Sequence, residues 1–471
     1  MKSFIPFSLF IPCLTALLIS CQETLLINDP YLVEENLTTR ASDITNDFFV
    51  SLQEAEYYVG LMYPECEIST IEPVVIENDT LVYLINFIQG WTAIAADKRV
   101  PPILGEDAYS ELHLDQETIG PLVWLNSCAY DILAMQESGK EHENDNTDLW
   151  SFIKGEQYYN GKEIPSTRGA DDRWAVFLID SYTDNIINQV NHLVSTKWGQ
   201  GSPWHQKLPT DSNYNNNRCQ LGCVPVAMAQ LIYYYKNKFS LSLGFYHTVS
   251  CSLSSISGPS TNVGFFHGDF TSNSSRWSQM SLTEYDISSH STEYPGDLML
   301  ELGHEFNALY SGFETYVSSS FSPYNVFHDY GIDCISSSYS YNTTKSNLDS
   351  GLPLMVSAYT SPNATSGHCW IIDGYREITE QYVNRYLLIY TDQYEGAIAT
   401  YTNSQVEEVF GEYYYDGMEW DDYFVYDTVK RLYMNWGYNG AYDSGTYLIV
   451  PGADWRNYGY NTIIYYDFAS L

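Results

Sequence analysis

Positive charge is scarce in this chain: 21 Lys and Arg stand against 59 Asp and Glu in 471 residues, a formal charge of −38. Such a surface lacks the clustered cations that a phosphate backbone demands, so nucleic-acid binding is excluded and adsorption on anionic lipid is disfavoured. Long apolar runs are absent after the N-terminus, and no later segment reads as a bilayer-spanning helix. No CxxC pair occurs, and Cys219-xxx-Cys223 has no second ligand pair, so a zinc site is not indicated. No internal repeat is visible.

What is present fits a globular protein with an acidic surface. The chain is 44% hydrophobic and 17% charged, with 43 Tyr, and its length suggests two or three domains. Met1-Lys2 is a short positive start, and Phe4 to Ile19 is almost continuously apolar. Ser20-Cys21 closes the run as a small residue followed by Cys, which resembles the lipobox of bacterial lipoproteins. The expectation is a signal peptide over 1–20, lipid on Cys21, a tether over 21–40 and a cell-envelope location. Seven cysteines follow Cys21, an odd number that leaves at least one thiol unpaired in an oxidising compartment.

Hydrophobic periodicity organises the rest. A helix is expected over Ser42 to Met62, a hairpin from Leu81–Phe87 and Trp91–Ala95, and a helix from Ile119 to Gln136. Together they predict a small α/β unit over 41–136. Glu137 to Asp148 has no apolar residue, and Gly161 to Asp172 is again polar, so 137–184 reads as a linker open to cleavage. Ser250 to Ser291 is Ser-rich and reads mostly as loop. Tyr294 to Tyr310 is helical by its spacing, and strands follow at 352–359, 369–372, 386–391, 446–450 and 462–466. Helices first and strands later predict an α+β fold for 185–471.

The local chemistry is concentrated at four places. In Gly222-Cys223-Val224-Pro225 a loop gives way to an Ala-rich helix, with Pro225 in its first turn and Lys236 and Lys238 at its far end. Cys223 therefore sits where free backbone N–H groups favour a thiolate nucleophile. His368 stands between Gly367 and an apolar strand, 145 residues after Cys223, a Cys-then-His order used by papain-like proteases. Asn435 and Trp436 follow, an amide able to fix an imidazole tautomer and an indole able to shield it from water. Upstream, Trp198-Gly199-Gln200-Gly201 offers a side-chain amide for an oxyanion.

These segments resemble the streptopain family of cysteine peptidases. The matching motifs are Trp198-Gly199-Gln200-Gly201-Ser202-Pro203, Gly222-Cys223-Val224 with Ala227-Met228-Ala229-Gln230, Gly367-His368 with Ile372-Asp373-Gly374, and Asn435-Trp436-Gly437. Gly90-Trp91 and Ala96-Asp97-Lys98-Arg99-Val100 look like that family's propeptide. The resemblance implies a two-lobed papain-like fold, a helical lobe carrying Cys223 and a sheet lobe carrying His368, preceded by a propeptide over 41–136 that holds the enzyme latent. By the same resemblance Cys223 is nucleophile, His368 base and then acid, Gln200 and the Cys223 N–H the oxyanion hole, and Asn435 with Trp436 the groups that orient and shield His368. Protein substrates are implied, and no metal or cofactor is required.

The chain departs from the family pattern at Pro225, at Tyr438-Asn439 where the family favours Trp-Gly, and in the spacing of 67 from His368 to Asn435. The extra acidic segment, around Glu407-Glu408 and Glu419 to Asp422, is expected to form a hairpin or flap. Two other readings remain open at this point: a transglutaminase-like or amidase enzyme with Asp373 or Asp392 as third group, and an inactive lipoprotein that binds peptide or glycan.

Overall fold

The computed structural model describes residues 18–20, 48–115, 119–138, 150, 172–178, 183–243, 246–255, 258–269, 274–286, 290–312, 315–318, 322–359, 367–390, 400–401, 420–448 and 462–471. Most of the predicted signal peptide, Cys21 and the tether lie outside the described residues, as do most of the linker, Asp392 and the tip of the acidic insertion. Among the described residues no helix is long and apolar enough to cross a membrane.

The chain is α+β, as expected. The N-terminal unit opens with the helix Leu52–Met62, which begins ten residues later than its periodicity predicts. Ser51 and Glu54 form a reciprocal capping box there, and that box sets the helix start. Four antiparallel strands follow: Ile68–Ile76, Asp79–Phe87, Trp91–Ala95 and Ile103–Asp107. The first and last escaped the sequence reading. Pro101-Pro102 stands just before the last of these, where proline disturbs no ladder bond. The helix Ile119–Ser138 packs against this sheet, in agreement with expectation.

One sheet of thirteen strands runs through both parts of the molecule. The strand Thr446–Leu448 pairs on one side with Trp420–Asn435 and on the other with Ile103–Asp107 of the N-terminal unit. That second junction is short: Thr446 faces Glu106 and Tyr447 faces Gly105. The long strand Gly367–Tyr390 pairs antiparallel with Trp420–Asn435, from Ile371↔Asn435 to Leu387↔Trp420. The expected hairpin in the insertion is therefore present as two extended arms. Asp172–Leu178, within the expected linker, is also a strand and pairs with Tyr390–Asn384. Its Trp-Ala-Val-Phe-Leu run is apolar enough to be paired, and the polarity of the flanking segments hid it.

The Ser-rich region differs from expectation as well. Tyr246–Ser255 and Gly258–Asp269 form an antiparallel pair in a second, five-stranded sheet. The helix predicted over 294–310 ends at Glu305, and Leu309–Tyr310 is a strand that joins the same sheet.

Strand parity decides what faces what. Along Gly367–Tyr390, Cys369 and Ile371 enter the core built around the helix Cys223–Phe239, whereas Trp370 and Ile372 enter the core shared with the N-terminal unit. Successive side chains alternate between the faces of a strand, so His368 belongs to the Trp370 face. Trp124 of the N-terminal helix donates its indole N–H to Leu448 O at 2.8 Å, and its ring meets Tyr447 edge-on at 5.1 Å. Tyr447 in turn meets Trp436 edge-on at 5.0 Å, and Trp436 packs on Trp370 at 5.2 Å. An aromatic chain thus runs from the N-terminal unit to the surroundings of His368.

Candidate active site

The helix Cys223–Phe239 starts where its residues dictate. Gly222 has φ +93°, a conformation that favours glycine, and a Cβ there would lie 3.0 Å from Thr315 Cγ2. The approach loop is held on both sides: Gln220 N–H donates to Ser311 O at 3.1 Å and Leu221 N–H to Gln200 O at 2.9 Å. Gln200 is thereby brought beside the loop that delivers Cys223, and its side chain is buried at 8% exposure.

Cys223 itself is buried and disulfide-bonded. The free thiolate expected at this helix start is therefore not the form observed, since an oxidised sulfur has no lone-pair anion to attack with. Among the described residues the free thiols are Cys66, Cys128, Cys219, Cys334 and Cys369, and only Cys66 is exposed. Burial pushes the Cys128 and Cys369 thiols well up and that of Cys334 to about 12. Burial thus keeps these three thiols protonated at neutral pH.

His368 is fully buried. Its Nε2 lies 3.1 Å from Trp436 O, and Nδ1 has no hydrogen-bond partner among the described residues. Neither nitrogen is bonded to Cys223, so the expected meeting of sulfur and imidazole is not made in this form. Tyr438 stacks parallel to the imidazole at 5.5 Å, and Trp370 stacks at 6.2 Å. The N-terminal helix completes the enclosure at Gly120: a Cβ there would lie 2.6 Å from Trp436 Cε3 and 3.1 Å from His368 Nε2. Desolvation lowers the imidazole pKa from 6.5 to about 4, partly offset by the Trp436 carbonyl. The ring is accordingly neutral at physiological pH. In full-length Cys223→Ala protein, an NMR titration of His368 should find its midpoint near pH 4, and removal of residues up to 184 should raise it. A midpoint near 6.5 in the full-length chain would contradict the burial.

Asn435 is buried but does not accept an imidazole N–H, which corrects the role expected for it. Its Oδ1 accepts from Gln230 Nε2 at 3.1 Å and from Gly437 N at 3.2 Å, and its Nδ2 donates to Thr196 O at 2.9 Å. With these bonds the amide is committed, and it fixes the backbone that presents Trp436 O. Trp436 is fully buried beside His368, with ring centroids 6.4 Å apart.

Gln230 is the residue that sequence reasoning overlooked. Its Oε1 accepts from Thr196 Oγ1 at 3.0 Å and from Trp198 N at 3.2 Å, while its Nε2 reaches Asn435. One buried amide thus ties together the nucleophile helix, the Gln200 arm and the end of the strand carrying Asn435. Its position in Ala227-Met228-Ala229-Gln230, polar among small apolar residues, was the available signal.

Asp373, the alternative third group, is engaged elsewhere: its carboxylate accepts from Val194 N at 3.2 Å and lies 2.9 Å from His192 Nδ1. It makes no bond to His368. Asp443 accepts from Trp436 N at 3.0 Å and from Lys197 Nζ at 2.9 Å. Burial raises its carboxyl pKa, an effect the Lys197 charge opposes.

Two solved structures of interpain A from Prevotella intermedia resemble the chain. The prointerpain A fragment is 17% identical with a TM-score of 0.47, covering 84% of this chain and 98% of that one. The active wild-type interpain A cysteine protease is 19% identical with a TM-score of 0.36, covering 59% of this chain and 95% of that one. No curated protein matches. Residues 198–387, which hold Gln200, Cys223 and His368, match the Peptidase C10 family, the streptopain family of cysteine peptidases.

Proposed function

We propose that this protein is a cysteine endopeptidase made as a latent precursor, exported and lipid-anchored through Cys21. The observation that carries the peptidase reading is the Gln230 junction, which gathers the segments bearing Gln200, Cys223 and Asn435–Trp436 around one buried amide. Reduced Cys223 attacks the substrate carbonyl, and the Gln200 amide with the Cys223 backbone N–H stabilises the oxyanion. His368 protonates the leaving amine and then activates water on the acyl-thioester. Asn435 acts through the Trp436 backbone, and the Trp436 indole excludes water.

Latency rests on the N-terminal unit, 41–136, acting as an intramolecular inhibitor. Gly120 covers the Nε2 edge of His368, and the buried neutral ring is unable to form an imidazolium partner for a thiolate. Cleavage between 137 and 184 followed by departure of this unit frees the ring.

The reading is tested by incubating reduced protein with casein and with peptidoglycan, with and without an epoxide inhibitor of thiol peptidases. Casein hydrolysis blocked by the epoxide supports it. Turnover of peptidoglycan alone would favour an amidase, and thiol labelling without turnover of either would favour a binding protein. Metabolic labelling with a fatty-acid analogue, lost in Cys21→Ala, tests the anchor.

A further inference from the structure

The loop after Trp436 departs from the family pattern at Asn439, and that side chain is unusually well engaged. Asn439 has φ +56°, a left-handed conformation that asparagine tolerates better than most residues. Its Oδ1 accepts from Trp204 Nε1 at 2.7 Å. Its Nδ2 donates to Ser202 O at 3.0 Å and to Glu284 Oε2 at 2.9 Å. Both amide hydrogens and one oxygen lone pair are used, and two of the three bonds go to the segment that carries Gln200. The opposing surface is cut to fit: a Cβ on Gly199 would lie 2.2 Å from Asn439 Oδ1.

A second tie lies beside the first. Lys197 Nζ reaches Asp443, which holds Trp436 N, and the Lys197 stem crosses Gly440, where a Cβ would sit 3.4 Å from three of its carbons. The arm 197–204 is therefore fastened to the loop 436–443 at both ends, with Gln200 between the fastenings.

We infer that Asn439 is a positioning residue that staples the arm carrying Gln200 to the loop carrying the Trp436 carbonyl, so that the oxyanion donor and the histidine side of the site keep one spacing. The inference rests on the reading of Gln200 as the oxyanion donor. It assigns to this chain a contact that a glycine at 439 would not make.

Asn439→Gly is the informative variant, because glycine accepts the positive φ without strain. In the activated, reduced enzyme, on a casein peptide that the wild type cleaves, kcat should fall roughly tenfold with KM little changed, as expected for a displaced catalytic group. In a Gln200→Ala background the same substitution should cost less than about twofold, since the group it positions is gone. Equal losses in the two backgrounds, or an unchanged kcat, would overturn the inference. A second measurement does not depend on activity. In the full-length chain, amides of 198–204 should exchange roughly tenfold faster in Asn439→Gly, with the helix 223–239 unaffected. Unaltered exchange at 198–204 would also overturn it. An inactive wild type defeats the peptidase reading alone, and the exchange result still judges the staple.

Discussion

Peptide hydrolysis by this protein is expected to depend absolutely on a thiol reductant and on Cys223. The sulfur at the start of the helix Cys223–Phe239 is held in a disulfide, so no thiolate exists until that bond is opened. Thiolate exchange with a dithiol reductant opens it: the attacking sulfur bonds to the partner cysteine's sulfur, Cys223 leaves as thiolate, and the reductant's second thiolate then attacks its first sulfur, expelling the partner thiolate. Once freed, the thiolate gains from the unsatisfied N–H groups of the first helical turn. The nucleophile defines the reaction, so with reductant present Cys223→Ala should lower kcat by about 10⁴-fold or more, and without reductant neither protein should turn over. Casein hydrolysis measured with and without dithiol, for wild type and variant, checks both claims. Mass mapping of alkylated cysteines without reduction should leave Cys223 itself unlabelled. Full activity of the variant, or equal wild-type rates in the two conditions, would refute the assignment.

A side chain at Gly120 should release latency without any cut in the chain. The helix Ile119–Ser138 approaches Trp436 and His368 so closely that even a methyl group meets Cε3 of the indole at 2.6 Å. Helical propensity alone would favour alanine over glycine by about 1 kcal/mol, so the effect of the clash has the opposite sign to that of propensity. Overpacking of a rigid contact costs about 1–3 kcal/mol, which corresponds to a roughly 5- to 150-fold larger open fraction. Reduced full-length Gly120→Val should accordingly react with an epoxide inhibitor at least about fivefold faster than wild type. Gly60, in the helix Leu52–Met62, supplies the control because a Cβ there meets nothing within 4 Å. Gly60→Ala should leave the labelling rate unchanged. If Gly120→Val labels no faster than wild type, contact at His368 is not what restrains the enzyme.

How far the amino-acid order disclosed this arrangement varies from element to element. The helix at Cys223 was legible to within a residue, because Gly222, Pro225 and the terminal lysines are local signals with local causes. The hairpin Asp79–Phe87 and Trp91–Ala95 was legible for the same reason. The strands Tyr246–Ser255 and Gly258–Asp269 were not, since serine carries no alternation of hydrophobicity and their pairing is decided by neighbours remote in sequence. The four site segments were recognisable, and three of them lie within residues 198–387, which match the Peptidase C10 family. Their mutual contacts were not recognisable. Parity along Gly367–Tyr390 sends His368 to the face covered by the N-terminal unit, and nothing local to His368 reveals what covers that face. The bonding of Asn435 was likewise hidden, because an amide side chain accepts a peptide-like partner such as Gln230 as readily as an imidazole.

The two-residue junction between Thr446–Leu448 and Ile103–Asp107 has a consequence for what is left behind after activation. Severing the backbone between 137 and 184 leaves those ladder bonds and the Trp124–Leu448 bond in place, so dissociation is a separate event with its own rate. When it occurs, the peptidase is left with an unpaired rim of three residues. A rim that short offers little template for strand addition by another chain, so the backbone edge bared by dissociation is a small one.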